Sequence, residues 1–326
     1  MKIWFPTIRA GTGADVFIIN LARGLMKIGI EAEITWFPHL SEIFPYPLRY
    51  ARVPNNVDII HANSWYGFAF SRFNIPVVIS VFHWVHDSDL LPYKSFLQKA
   101  YHDYFIKRYE NSSIRNATVI TTISKYTGAQ LQKEFPDNKI IIINNGIDTN
   151  LFIPETSIKK DGSKFNLFYA GTPSKRKGFD LIGPILEKLP SNIYLNYTDG
   201  YINNNKAQKL GKLNLSQLIS AYQSCDALLF PSRYEGFGYV VAEAMACGKP
   251  VVTSNCSALP ELVENMKTGI LCPVDDVPEF VASIMQLYKN RILAEKMGMA
   301  ARQKVVEEYS LENMINEYIK LYKSII

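Results

Sequence analysis

A strand–helix alternation that runs, stops and runs again is the strongest constraint on this chain's fold. Short apolar segments at residues 2–5, 33–36, 58–61, 77–82, 117–122 and 139–143 predict strands. Between the first two, Phe17, Leu21, Leu25 and Ile28 recur at helical spacing, and Gly29 stops the run. Residues 94–115 are long, aromatic and basic, and predict another helix. A polar stretch from Pro154 to Ser163 then interrupts, and the linker is placed there. The alternation restarts with strands at 165–170, 192–197, 227–230, 251–254 and 269–272. Helices are expected at 178–189, 215–224, 239–247, 259–264 and 277–289, with more helix to about residue 308. Last comes an amphipathic segment, with Leu311, Met314, Ile315, Tyr318, Ile319 and Tyr322 on one face. Strands separated by helices call for parallel sheets with helices on both faces. The expected fold class is therefore α/β, with two α/β domains and a cleft between them. Domain boundaries are set at 1–153 and 164–308, with a terminal helix at 309–326.

Composition supports two ordinary domains. The chain has 326 residues, 48% hydrophobic and 20% charged, which excludes a disordered chain. The net charge of +5 suits an anionic substrate or an anionic membrane face, and nothing in it asks for nucleic acid. Cys225, Cys247, Cys256 and Cys272 have no metal-ligand spacing and read as reduced, structural thiols. The opening MKIWFPTIRAG lacks a signal-peptide apolar region, and no run reaches membrane-span length. A cytoplasmic protein is expected.

One stretch carries chemistry as well as fold. Residues 231–252 read PSRYEGFGYVVAEAMACGKPVV and set Glu235 eight positions before Glu243. Pro231 to Gly238 read as a loop and Tyr239 to Cys247 as a helix closed by Gly248 and Pro250. Glu235 then precedes the helix and Glu243 sits on its second turn. Free amides and the positive end of the helix dipole face the space between them. Amides around Gly236, Phe237, Gly238 and Tyr239 can hold a diphosphate while the carboxylates grip hydroxyls. That is the chemistry of binding a nucleotide-sugar.

Other motifs carry less. In YAGTPSKRKGFDLI, residues 169–182, Lys177 and Gly178 open a helix, and a cation there can meet a departing diphosphate. Gly11, Thr12 and Gly13 let backbone approach a ligand closely. Trp36, Phe37 and Pro38 follow the second strand where a dinucleotide site needs an acid, so a nicotinamide or flavin site is rejected. Asn63, Ser64 and His83 end strands at the edge where ligands of parallel sheets gather. Asp87, Ser88 and Asp89 form a DxD triplet, read as acids at a helix start. No cluster of residues suggests a metal. Two readings of 94–115 stay open: a helix touching an anionic membrane, or a core-facing helix with a solvated basic back.

The 231–252 string, with Lys177-Gly178, closely resembles the donor-site signature of retaining glycosyltransferases of family 4, over nearly the whole chain. The resemblance implies the GT-B fold, two Rossmann-like domains with parallel sheets facing across a cleft, and the terminal helix crossing back to the first. It implies acceptor binding in the first domain and nucleotide-sugar binding in the second. Glu235 is associated with the transferred sugar, Glu243 with the ribose, and Lys177 with diphosphate oxygens. Thr172 stands after Gly171 where the family has Arg, so Arg176 is a candidate replacement, or the pocket manages with one cation. Thr12 and Gly13 correspond to the loop that helps close over donor and acceptor. Family members carry a His near the reacting sugar. His83 is preferred for this role, with His86 as its competitor and Asn63 and Ser64 on the acceptor side. Ser124 and Asn145-Gly146-Asp148 match landmarks read as cap and turn residues. The implied reaction is metal-independent transfer with retention to a glycan or lipid-linked acceptor, in cell-surface polysaccharide or lipopolysaccharide synthesis. The nucleotide-sugar is a co-substrate and no cofactor is expected. The departing phosphate would help deprotonate the acceptor. A nucleotide-sugar epimerase of the same fold and a non-catalytic sugar-binding protein are the alternatives.

Overall fold

The computed structural model describes residues 1–155 and 163–326; residues 156–162, most of the expected linker, lie outside them. The chain forms two compact units. Unit 1 comprises Met1–Gly146 and Leu311–Ile326, and unit 2 comprises Ile147–Ser310. The boundary falls earlier than the polar segment for a packing reason. Ile147 bridges to Ser310, Phe152 packs on Tyr222, and Arg302 donates to the carbonyls of Thr149 and Phe152. Residues 147–153 therefore belong with the second sheet.

Unit 1 is built on strands β1 Lys2–Ile8, β2 Glu31–Phe37, β3 Ile59–Asn63, β4 Val77–Val81, β5 Val119–Thr122 and β6 Ile140–Ile142. They form one sheet in the order β2-β1-β3-β4-β5-β6, with every neighbouring pair parallel. The central strands are buried on both faces, which is why they read as unbroken apolar runs. The first helix spans Gly13–Lys27 and buries Phe17, Leu21 and Leu25. Ile28 is the capping residue and is exposed, because Gly29 at φ +82° turns the chain away there.

The terminal helix Leu311–Lys323 completes this unit. Met314, Ile315, Tyr318 and Tyr322 are buried in the same cluster as Phe17 and Leu21. A Cβ at Gly24 would stand 2.0 Å from Ile315 Cδ1, so the two helices meet only because position 24 has no side chain. A polar seam runs beneath. His61 on β3 lies 2.7 Å from the Tyr322 hydroxyl through Nδ1 and 2.7 Å from Ser80 Oγ through Nε2. Ser80 Oγ in turn lies 2.7 Å from Thr121 Oγ1. Burial pushes the His61 imidazole down to about 3, so it is neutral.

Unit 2 contains β7 Phe165–Tyr169, β8 Ile193–Tyr197, β9 Ala207–Lys209, β10 Ala227–Phe230, β11 Val251–Ser254 and β12 Gly269–Cys272. Their order is β12-β11-β10-β7-β8-β9, again with parallel neighbours. The short edge strand β9 was not anticipated: Ala-Gln-Lys is half exposed and shows no apolar alternation. The order reverses at the β7–β10 pair, and a switch point of this kind is where ligands of open α/β sheets bind.

Candidate functional site

The loops after β7 and β10 leave adjacent strands and are locked together by sequence. The β7 loop ends at Gly178, which caps the helix Phe179–Lys188 at φ +67°. A Cβ there would lie 1.9 Å from the Pro231 carbonyl oxygen, so only glycine lets the loops touch. Arg233 fastens them. Its guanidinium holds both oxygens of Asp180 at 2.7 and 2.9 Å and Asp275 Oδ1 at 2.6 Å, and it donates to the Lys175 carbonyl. Its backbone N–H donates to the Arg176 carbonyl at 2.8 Å. These bonds raise the guanidinium further above its ordinary range.

Glu235 sits on this platform, ahead of the helix Tyr239–Ala246 and 6% exposed. Its Oε1 accepts from Lys177 Nζ at 2.6 Å and Ser232 Oγ at 2.7 Å, with Arg176 Nη1 3.8 Å away. Its own N–H donates to Ser257 Oγ at 2.8 Å. Burial opposes the carboxylate's charge, but Lys177 and Arg176 outweigh it and hold the carboxyl below its usual range. Arg176 also donates to the Tyr234 carbonyl at 2.8 Å. A buried carboxylate, two cations and a helix N-terminus thus share one small space. Gly238 enters that helix at φ +104°.

Glu243 lies one turn further along the helix, partly buried, with Oε2 accepting from the Tyr222 hydroxyl at 2.8 Å. Burial raises its carboxyl to about 7, against the hydrogen bond from Tyr222. The two acids therefore differ in kind: Glu235 is a fixed anion and Glu243 titrates near neutrality.

Known proteins resemble this chain in sequence and in fold. Two family models match the chain: Glycosyltransferase Family 4 over residues 31–151 and Glycosyl transferases group 1 over residues 191–304. The chain belongs to the family 4 glycosyltransferases. An uncharacterized glycosyltransferase of Methanocaldococcus jannaschii is 26% identical over 78% of this chain and 70% of its own length. Glycogen synthase of Mycobacterium tuberculosis is 25% identical, covering 81% of this chain and 68% of that protein. N-acetyl-alpha-D-glucosaminyl L-malate synthase of Bacillus anthracis is 34% identical, but only over 36% of this chain and 30% of its own. Among solved structures, sucrose-phosphate synthase from Thermosynechococcus elongatus superposes with TM-score 0.87 at 18% identity, covering 100% of this chain and 99% of that one. HepE of Anabaena, solved with UDP and glucose, gives 0.78 at 18% identity over 99% of this chain and 100% of its own. The fold is GT-B.

In this glycosyltransferase the other expected donor residues divide. Phe237 is buried against Tyr239 and Tyr309, at ring distances of 5.4 and 5.8 Å, so its side chain is packing. Gly236 is partly buried on the loop beside it. Thr172 is exposed after Gly171, and its carbonyl lies 3.5 Å from the Tyr169 hydroxyl.

The unit 1 candidates do not converge as one group. Thr12 caps the first helix by accepting from the Ala14 N–H at 3.4 Å, and Gly13 is exposed beside it. Asp15, unremarked in sequence, holds this loop by accepting from the Gly11 N–H at 2.8 Å. His83 follows β4 and is partly buried. His86 turns inward to Glu110, at 3.5 Å, and lies 3.6 Å from Asp103. Ser64 donates to the same Glu110 at 2.8 Å, and Asn63 Oδ1 accepts from the Trp65 N–H at 2.9 Å. His86 and Ser64 thus serve one buried network around Glu110. The DxD triplet does not cap a helix: Leu90 precedes the short 3-10 helix Leu91–Tyr93, Ser95 caps the next α-helix, and Asp87 and Asp89 both reach the Tyr126 hydroxyl, at 2.8 and 2.9 Å. Ser124 does cap a helix, Lys125–Glu134, by accepting from the Thr127 N–H.

Sequence reasoning passed over Ser232, Arg233 and Ser257, which orient Glu235 and its loop. Ser232 and Arg233 were in plain view between Pro231 and Glu235; their partners, Asp180, Asp275 and Arg176, are distant in sequence.

Proposed function

We propose that this glycosyltransferase moves a sugar from a nucleotide-diphosphate-sugar to a hydroxyl of a glycan or lipid-linked acceptor, with retention, in cell-surface polysaccharide synthesis. The observation that carries the reading is Glu235, buried and ionised between Lys177 and Ser232 at the mouth of a helix N-terminus. In this reading Glu235 holds hydroxyls of the transferred sugar and Glu243 holds the ribose. Lys177, Arg176 and the first-turn amides take up charge on the diphosphate as the bond from the anomeric carbon breaks, with no metal needed for that duty. The acceptor oxygen bonds to the same face of that carbon, and its proton passes to the departing phosphate. The UDP and UDP-glucose bound by HepE make a uridine nucleotide the first donor to try.

The test is transfer from labelled UDP-, GDP- and ADP-sugars to a lipid-linked or oligosaccharide acceptor, with Glu235→Ala and Lys177→Ala as controls. Product with retained anomeric configuration is expected from the wild type, and a rate lower by about 10²-fold or more from each variant. Unchanged rates in both variants would remove Glu235 and Lys177 from the site.

A further inference from the structure

Exposed apolar side chains in unit 1 gather on two segments distant in sequence, residues 40–50 and 96–105. Leu40 is 75% exposed, Phe44 60%, Phe96 84%, Leu97 78% and Tyr104 76%. The segments touch: the Tyr101 hydroxyl donates to the Glu42 carbonyl at 2.9 Å. Rings continue the surface, with Tyr101 stacked on Phe105 at 5.7 Å and Phe44 against Tyr46 at 5.5 Å. Tyr46 then packs on Tyr109 at 5.7 Å. A five-residue π-turn, His102–Ile106, widens the second helix here, so that Tyr104 and Phe105 face outward while Ile106 is buried.

Beside this ridge lies a pocket of about 410 Å³. Arg49 from the first segment and Arg108, just past the second, line it, with Ser71, Ser112 and Asn116 as further hydrogen-bonding groups. Lys99 and Lys107 are exposed on the same helix. None of these four cations forms an ion pair with a described residue. The two acids of these segments, Glu42 and Asp103, lie 3.1 Å from His39 and 3.6 Å from His86 and are outnumbered by the four cations.

We propose that this face of unit 1 docks on an anionic lipid bilayer, with the apolar ridge at the acyl boundary and a phosphate headgroup between Arg49 and Arg108. Charge complementarity selects this occupant. Uncompensated cations around an apolar ridge suit an anionic surface. A second copy would bring the same cations face to face across a two-fold axis. The proposal does not depend on the donor site in unit 2.

Co-sedimentation of the full chain with vesicles tests it. The protein should pellet with phosphatidylcholine–phosphatidylglycerol vesicles, much less with phosphatidylcholine alone, and be released by salt. Inorganic phosphate at millimolar concentration should not compete. Leu97→Ser with Phe105→Ser, and separately Arg49→Glu with Arg108→Glu, should each weaken binding about tenfold or more while melting like the wild type. Failure of the wild type to pellet with anionic vesicles overturns the proposal, as does equal binding by both variants. So does a wild-type dimer in light scattering that the Leu97→Ser, Phe105→Ser variant dissolves without any vesicle binding. Competition by free phosphate would assign the pocket to a soluble anion instead.

Discussion

The two units bury polar groups in opposite ways. Unit 2 places ions where two loops leave its sheet: Glu235 with Lys177 and Arg176, and Arg233 with Asp180 and Asp275. Unit 1 keeps its seam neutral, with His61 between Ser80 and Tyr322 beneath the terminal helix. On the proposed function, the difference separates a binding apparatus from a structural one. A buried ion pair is weak ground for stability, because desolvation offsets the attraction. It is well suited to meeting a charged ligand. A neutral hydrogen-bonded seam does the reverse: it fixes one packing of the terminal helix and presents no charge to a ligand.

The comparison is broken most severely at Gly178. Gly178→Ala forces a Cβ against the Pro231 carbonyl and should destabilise unit 2 by about 3 kcal/mol or more, with transfer lost. Differential scanning calorimetry and activity together check this; a wild-type melt would mean the loops have room to part. Glu235→Ala should lower the transfer rate about 10²–10³-fold, the scale of losing a transition-state contact. It should also destabilise the fold, by up to about 3–5 kcal/mol, because the buried Lys177 loses its partner, so the rate is read per folded molecule. Tyr322→Phe acts the other way round. It strands a buried nitrogen of His61 and should cost about 1–3 kcal/mol in denaturant unfolding, with transfer per folded molecule unaffected.

The units should also respond to pH with opposite signs. The His61 pKa is lowered from its usual 6.5 to about 3, so its contribution is present above pH 6.5 and is lost as pH falls toward 3. The Glu243 carboxyl is raised from 4.5 to about 7, so its contribution is present below pH 4.5 and is lost as pH rises through 7. Glu243→Gln should flatten the pH dependence of the melting temperature between about 4.5 and 7. A slope unchanged in that variant would mean that Glu243 does not titrate there.

Legibility in sequence followed the same division. The alternation of apolar runs with helices anticipated eleven of the strands, and most plainly the central ones, which are buried on both faces and leave no polar alternation to confuse. Edge strand β9 escaped because three half-exposed residues carry no pattern. Glu235 and Glu243 stood out because loop and helix signals bracket them. Arg233 did not, although it lies two residues from Glu235, because its meaning depends on Asp180 and Asp275. The seam of unit 1 was hidden for the same reason: His61 and Tyr322 are 261 residues apart. The ridge of unit 1 was half visible, since residues 94–115 read as aromatic and basic, but nothing in sequence joins them to residues 40–50.

The central claim is that the ions of unit 2 await a nucleotide diphosphate. Thermal shift with UDP, GDP and ADP, comparing the wild type with Lys177→Ala and Glu243→Ala, tests it most directly. A ligand that binds only the folded state must raise its melting temperature. The account predicts a shift with one nucleotide, lost or much reduced in both variants. An unmoved melt with all three nucleotides, or an equal shift in both variants, would contradict it.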